Sequence, residues 1–328
     1  MFRRPLRDLR ALGSTTMLRM RDTCTIATRG SKLALWQAEY IRGLLRSLCP
    51  RCRVNLQVIK TKGDIIQDVA LSKVGGKGLF VKEIEEALLN GSADLAVHSI
   101  KDVPMQLPTG LLLGCIPKRD TPADCLLSCA YPDLDSLPLG AHVGTSSLRR
   151  QAQLKALRPD LHISSLRGNV DTRLRKLQEG AYDAIVLAAV GLKRLALHAP
   201  FASQLDTQVF LPAVGQGAIG IECREDDYEL FTILSQLEDT PTRVCIEAER
   251  AFSRALDGGC QVPIAGYAVL CDDETLQLHG LVAELDGSCI IRDSVKGHAS
   301  LAHQLGVDLA KSLLSRGGRT ILDRLNQQ

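Results

Sequence analysis

Apolar residues recur with a period of two in short runs and with a helical period in longer ones, and the two kinds of run take turns along most of the chain. TIATR (25–29) reads as a strand. From Ser31, which stands at a cap position, a helix follows with Leu33, Trp36, Ile41, Leu44 and Leu48 near helical spacing. RVNLQVIK (53–60) alternates like a strand, and VKEIEEALLNG (81–91) is a helix closed by glycine. DLAVHS (94–99) and GLLLGCI (110–116) are apolar, strand-like runs. Farther on, HVGTS (142–146) leads into the helix SLRRQAQLKAL, LHISSLRG (161–168) into NVDTRLRKLQEG, and DAIVLAA (183–189) into VGLKRLAL.

This rhythm predicts open α/β domains with mostly parallel sheets, whose ligands lie where strand ends meet helix starts. The pattern changes after Pro241. One long helix, TRVCIEAERAFSRAL, precedes strand-like segments near 264–271, 276–285 and 288–292 and a final helix at 301–315, which predicts a smaller α+β domain. The chain's 328 residues fit two or three such domains, and no apolar run reaches the roughly 18 residues needed to span a bilayer. A net charge of +3 and few aromatic residues speak against nucleic acid as a partner. An odd count of 11 cysteines without a secretory leader indicates a reducing compartment. The Arg-rich opening, MFRRPLRDLRALGSTTMLRM, resembles an organelle transit peptide, but a disordered leader, or an upstream start with the real one at Met17 or Met20, is the preferred reading.

Several motifs have two readings. GQGAIG (215–220) spells a dinucleotide fingerprint, but IGIECRE after it looks like a strand where the fingerprint needs a helix, so a structural turn or hinge is expected. CPRC (49–52) has redox or zinc spacing, yet it follows a helix and lacks a second ligand pair; two incidental thiols in a loop are expected. His98 on its apolar strand reads as a satisfied core histidine. KVGGKGLF (73–80) lacks the G-K-[ST] ending of a phosphate loop and suits a mobile lid carrying Lys73 and Lys77. Asp102 is either a turn residue before Pro104 or an ionised carboxylate in a cationic cleft.

The arginines carry the stronger signal. Arg29, Arg149, Arg150, Arg167 and Arg173 all fall at strand ends or in the first turn of the next helix, where an α/β fold binds ligand. They suit a ligand with several carboxylates or phosphates. LDGGCQVPIAG (256–266) adds a cysteine, Cys260, behind two glycines and ahead of Pro263: a thiol presented on a loop rather than packed.

Seven segments together, ATRGSKLALWQA, KVGGKGLFVKEIE, DLAVHSIKDVP, VGTSSLRRQAQL, LRGNVDTRL, AVGQGAIGIE and ERAFSRALDGGCQVPIAG, resemble hydroxymethylbilane synthase, also called porphobilinogen deaminase, in the family's order over roughly residues 24–270. The resemblance implies two periplasmic-binding-protein-like α/β domains (23–117 with 218–236, and 118–217) and a C-terminal α+β domain (240–328) behind a leader (1–22). It implies a covalent dipyrromethane, one per chain, held by a thioether to Cys260, with Asp102 as the catalytic carboxylate. Lys101, Ser99, Thr145, Ser146, Ser147, Arg149, Arg150, Arg173 and Gln216 would hold that cofactor, and Arg29, Ser31, Arg167 and Arg194 the substrate. The implied substrate is porphobilinogen, with no metal. A cytoplasmic monomer engaging neither nucleic acid nor membrane is expected, the leader leaving organelle targeting open. The rival reading is a two-lobed solute-binding module, which gives no role to the GGC loop or the third domain.

Overall fold

The computed structural model describes residues 21–65, 81–257 and 262–326. The leader 1–20, and with it the choice between transit peptide and alternative start, lies outside the described residues.

In chain order, β1 (Thr23–Arg29) is followed by α1 (Lys32–Leu48), β2 (Arg53–Ile59) and the single turn α2 (Lys62–Ile65). Then come α3 (Lys82–Leu89), β3 (Leu95–Ser99) and β4 (Leu111–Cys115). The chain crosses into a second sheet through β5 (Asp124–Ser128), β6 (His142–Gly144), α4 (Leu148–Leu157), β7 (His162–Ser164), α5 (Val170–Gln178), β8 (Ala184–Ala188), α6 (Ala189–Leu195) and β9 (Phe201–Gln204). It returns as β10 (Ile219–Arg224) and α7 (Tyr228–Leu234). The remainder is α8 (Thr240–Ala255), β11 (Ile264–Leu270), β12 (Thr275–Ala283), β13 (Ile290–His298), α9 (Ala302–Leu313) and α10 (Arg319–Asn326).

The two five-stranded sheets are built alike, in the orders β2-β1-β3-β10-β4 and β7-β6-β8-β5-β9. In each, the strands of the βαβ units are parallel, and one intruding strand runs against both neighbours: β10 between β3 and β4, β5 between β8 and β9. The intruders directly follow the two crossings of the chain between the sheets. Their reversed direction follows from entering at the crossing rather than returning through a helix. The third sheet, β11-β12-β13, is an antiparallel meander with α8 and α9 packed on it. Two α/β domains and a smaller C-terminal α+β domain are therefore the architecture.

Local chemistry sets the element ends. Ser31 caps α1 by accepting from the Ala34 amide at 3.3 Å, and Gln37, Ala38, Ile41 and Leu45 form its buried face. Asp239 caps α8 through the Thr242 amide at 3.0 Å. The GQG turn comes out as a turn and not as a nucleotide loop. Gly215 has φ +73° and Gly217 φ +91°, and a Cβ on Gly217 would stand 2.6 Å from the Asp120 carbonyl oxygen, so only glycine fits there.

Some expectations change. β5, β9, α7 and α10 had no clear signal, and β13 begins and ends later than the 288–292 run suggested. CPRC is a tight turn after α1, as expected, Cys52 N donating to Cys49 O at 3.0 Å, and both of its thiols are buried with Cys24 in the core beneath α1. Burial raises all three thiols above their ordinary pKa. His98 is buried, as a core histidine should be, yet it is poorly satisfied. Its Nε2 stands 3.1 Å from Glu222 Oε2 without hydrogen-bond geometry.

The C-terminal domain is tied to the rest by Glu249, fully buried on α8. Its carboxylate accepts from Arg119 Nη1 at 2.5 Å, the Gly215 amide at 2.7 Å and the Ala268 amide at 2.9 Å. Glu249→Ala should lower unfolding free energy by about 3–5 kcal/mol, because it strands a buried guanidinium and two amides. Urea melts of the two proteins side by side check this; a loss below about 1 kcal/mol would mean that water replaces the carboxylate.

Candidate functional site

β3 ends at Ser99, and a single 3-10 turn, Ile100–Asp102, carries the next two side chains out of the sheet. Ile100 anchors the turn in the core, so Lys101 is half-buried and Asp102 exposed. Ser99 Oγ accepts from Gln37 Nε2 of α1 at 2.8 Å. On the neighbouring strand end, Arg29 Nη2 meets Asp64 Oδ1 of α2 at 2.5 Å. Burial would raise the Asp64 carboxyl, but Arg29 and the Thr61 hydroxyl hold it below its ordinary value.

In the second sheet, β6 runs into Thr145, Ser146 and Ser147. Ser147 caps α4 at the Arg150 amide (3.4 Å), Thr145 Oγ1 accepts from the Ser147 amide (3.2 Å), and Ser146 Oγ donates to Leu166 O (2.7 Å). The cap aims the first turn of α4 at a fully buried carboxylate, Asp124 at the start of β5. Arg150 donates to Asp124 Oδ1 through Nε at 3.1 Å and Nη2 at 2.7 Å, and to Val186 O through Nη1. Arg149 Nη1 pairs with Asp124 Oδ2 at 2.8 Å while donating to Leu211 O at 2.7 Å. Gln216, buried in the GQG turn, donates to Asp124 Oδ1 at 2.8 Å and Pro122 O at 2.7 Å. Its Oε1 accepts from Lys101 Nζ at 3.4 Å.

The charges act on one another. Burial alone would raise the Asp124 carboxyl, but Arg149 and Arg150 outweigh it and hold the group well below the usual carboxylate range. Burial pulls the Lys101 ammonium down to about 8; Asp102 and Asp124 oppose this, while Arg150 and Arg149 add to it. Arg173, one turn into α5, is pulled down to about 10 by burial and by the charges of Arg150 and Arg167, with Asp102 opposing. One buried acid and one exposed acid thus face five cations. Such a cleft favours a multiply anionic ligand, and a group bearing several carboxylates fits this donor set.

Lys101, Asp102, Arg149, Arg150, Arg167, Arg173 and Gln216 are therefore brought into one electrostatic unit. Arg194 is placed otherwise: it is buried, with Nη2 donating to Gly217 O at 3.0 Å and its guanidinium 5.4 Å over the Trp36 ring. Ser31 and Ser147 serve as helix caps. Lys73, Lys77, Cys260 and the glycines before it lie outside the described residues. The residues that sequence reasoning missed are Asp124, Asp64 and Gln37. Asp124 opens the run DCLLS (124–128), whose apolar stretch after Pro122 was the available signal for β5.

Two family descriptions match the chain. "Porphobilinogen deaminase, dipyromethane cofactor binding domain" covers residues 24–232, and "Porphobilinogen deaminase, C-terminal domain" covers residues 243–315. The chain belongs to the porphobilinogen deaminase family. Its relatives include the porphobilinogen deaminase of Nitratidesulfovibrio vulgaris strain DP4, 62% identical over 92% of this chain and 96% of the relative. That of Lawsonia intracellularis is 58% identical over 91% and 96%. Among solved structures, the Bordetella pertussis BvgS VFT2 domain is 15% identical at a TM-score of 0.41, covering 66% of this chain and 86% of that one. The Escherichia coli sulphonate-binding protein SsuA is 16% identical at 0.40, over 73% and 71%. These two slight likenesses add nothing to the topology already described. No helix among the described residues is long and apolar enough to cross a membrane.

In this chain the Asp124 anchor carries a testable pH signature. Its folded pKa is depressed, so its contribution to stability is full above the unfolded value of about 4 and is lost as pH falls through the folded value. Asp124→Asn should be less stable than the parent by about 3 kcal/mol at pH 7, and the gap should narrow steadily as pH drops below about 4. Urea midpoints across that range check it; a gap independent of pH would assign the loss to packing.

Proposed function

We propose that this chain condenses four molecules of porphobilinogen head to tail on a covalent dipyrromethane primer and then releases the linear tetrapyrrole hydroxymethylbilane by hydrolysis, a transferase reaction of haem biosynthesis. The observation that carries the reading is the cation-rich cleft around exposed Asp102, in a chain of the porphobilinogen deaminase family. Each pyrrole brings an acetate and a propionate, so a growing chain needs repeated cationic contacts. When bound, the dipyrromethane supplies the nucleophilic carbon at which growth begins.

The cleft residues take distinct roles in this reading. Arg173 and Arg167 hold ligand carboxylates, with Lys101 beside them. Arg149 and Arg150 contribute positive potential from a fixed position, and Arg29 and Ser31 mark the substrate end of the first sheet. Substrate loses ammonia to give a cation delocalised onto the pyrrole nitrogen. Asp102 stabilises that cation, because a carboxylate fixed beside developing positive charge lowers the barrier. The new carbon–carbon bond forms as the acceptor pyrrole loses its α-proton, which balances the proton carried away by ammonia. Cys260 anchors the chain: a thiolate is a strong nucleophile and a thioether a stable tether. The division into 23–117 with 218–236, 118–217 and 240–328, the lid role of Lys73 and Lys77, and action as a cytoplasmic monomer belong to the same proposal.

Two variants test it. Cys260→Ser should lose activity and covalent pigment together, seen by intact mass: sequence mass alone for the variant, sequence mass plus a dipyrrole for the parent. A parent with the bare sequence mass would favour the two-lobed solute-binding module instead. Asp102→Asn should keep the cofactor but condense substrate on the order of a hundredfold more slowly in single-turnover experiments. Near-normal condensation would return Asp102 to the status of a turn residue.

A further inference from the structure

A cavity of about 240 Å³, lined by none of the cleft residues named above, opens between the first sheet and the C-terminal domain. One face of α8 lines it with Arg243, Ile246, Glu247, Arg250 and Arg254, and α9 adds His303. Their spacing by three and four residues puts the α8 side chains on a single stripe. Arg243 is neutralised, its guanidinium bonded to Glu238 at 2.5 and 2.9 Å. Arg250 and Arg254 are not. Arg250 is buried, and its hydrogen-bond partners among the described residues are carbonyls alone: Val103 O at 3.3 Å and Pro104 O at 2.6 Å. Arg254, exposed, donates to Met105 O at 2.6 Å. Two guanidinium groups one turn apart therefore repel each other, with no carboxylate among the described residues bonded to either. Arg250 is lowered to about 10 by burial and by Arg254, with Glu222 opposing. A buried cation satisfied only by carbonyls has its hydrogen bonds met but its charge unmet.

We propose that this cavity is a second anion site, for a small polycarboxylate, formed by Arg250, Arg254 and His303 and separate from the catalytic cleft. The volume suits a compact acid rather than a pyrrole chain. Exposed Glu247 at the rim opposes the ligand and limits its affinity. The site is coupled to the chemistry by geometry. The carbonyls that Arg250 and Arg254 hold belong to residues 103–105, the segment immediately after Asp102, so an anion drawing on the same donors competes with them and loosens the turn. Occupancy lowers turnover.

The test is calorimetry of citrate into the full-length holoenzyme, with chloride at matched ionic strength as reference and turnover measured in parallel. Saturable one-to-one binding is expected. It should weaken at least tenfold in Arg254→Gln and severalfold in His303→Gln, tighten severalfold in Glu247→Gln, and persist in the cleft variant Arg167→Gln. Turnover should fall with the same half-saturation. A gain in affinity on removing Glu247 is something that structural damage does not produce. Binding no tighter than chloride, or binding lost in Arg167→Gln but intact in Arg254→Gln, overturns the site. Binding without any effect on turnover overturns its coupling to the Asp102 segment.

Discussion

The buried carboxylate of Asp124 is the contact on which the cleft depends. Arg149 and Arg150 sit side by side at the start of α4, each almost entirely removed from water. Two guanidinium groups in that position repel one another and carry a large desolvation cost. One fully buried acid between them offsets both, and Gln216 saturates the oxygen it shares with Arg150. Because Asp124 begins the strand after the first chain crossing and Gln216 precedes the strand after the second, the same cluster joins both connections between the α/β domains. Lys101 is linked in through Gln216, so the turn that presents Asp102 is referred to the same point.

A second buried acid does the equivalent for the C-terminal domain. Glu249 takes Arg119 from one crossing and the Gly215 amide from the other. Gln216 thus lies between two carboxylates, its backbone turn fixed by Glu249 and its side chain by Asp124. This explains the glycines on either side. The turn must run within van der Waals contact of Ile100 and of the Asp120 carbonyl, and a side chain at 215 or 217 would push the turn away from both acids.

The α/β alternation and the helix caps were legible because they are local: Ser31, Ser147 and the apolar runs act within a few residues. The arginine series was legible too, since strand ends and helix starts can be counted along the sequence. Their partners were not. Asp124 lies 26 residues from Arg150 and Gln216 lies 92 from Asp124, so no periodicity connects them. IGIECRE was legible as a strand, but the reversed direction of β5 and β10 was not, because direction in a sheet is decided by where the chain returns. CPRC came out as the expected turn, and what its spacing did not show is that both thiols are buried. Thiols are small and apolar enough to fill the core under α1, and the turn between them needs only two residues.

The distribution of freedom among the cations then explains how one cleft serves both binding and chemistry. Arg150, locked by Asp124 and Val186, cannot follow a ligand and works as fixed positive potential, which costs no reorganisation when charge moves nearby. Burial lowers the pKa values of Lys101 and Arg173, and the charge of Arg150 lowers both further. An anionic ligand relieves the repulsion among these groups, so the cluster favours carboxylates. The same field would disfavour a cation forming from substrate unless a negative charge stood directly beside it. Asp102 is the exposed acid of this unit, carried on a rigid single turn whose other flank is held by Arg250 and Arg254. In the proposed reaction a cleft positive enough to hold many carboxylates hosts a cationic intermediate beside one fixed carboxylate, and the carbonyls of residues 103–105 that follow Asp102 are held by Arg250 and Arg254.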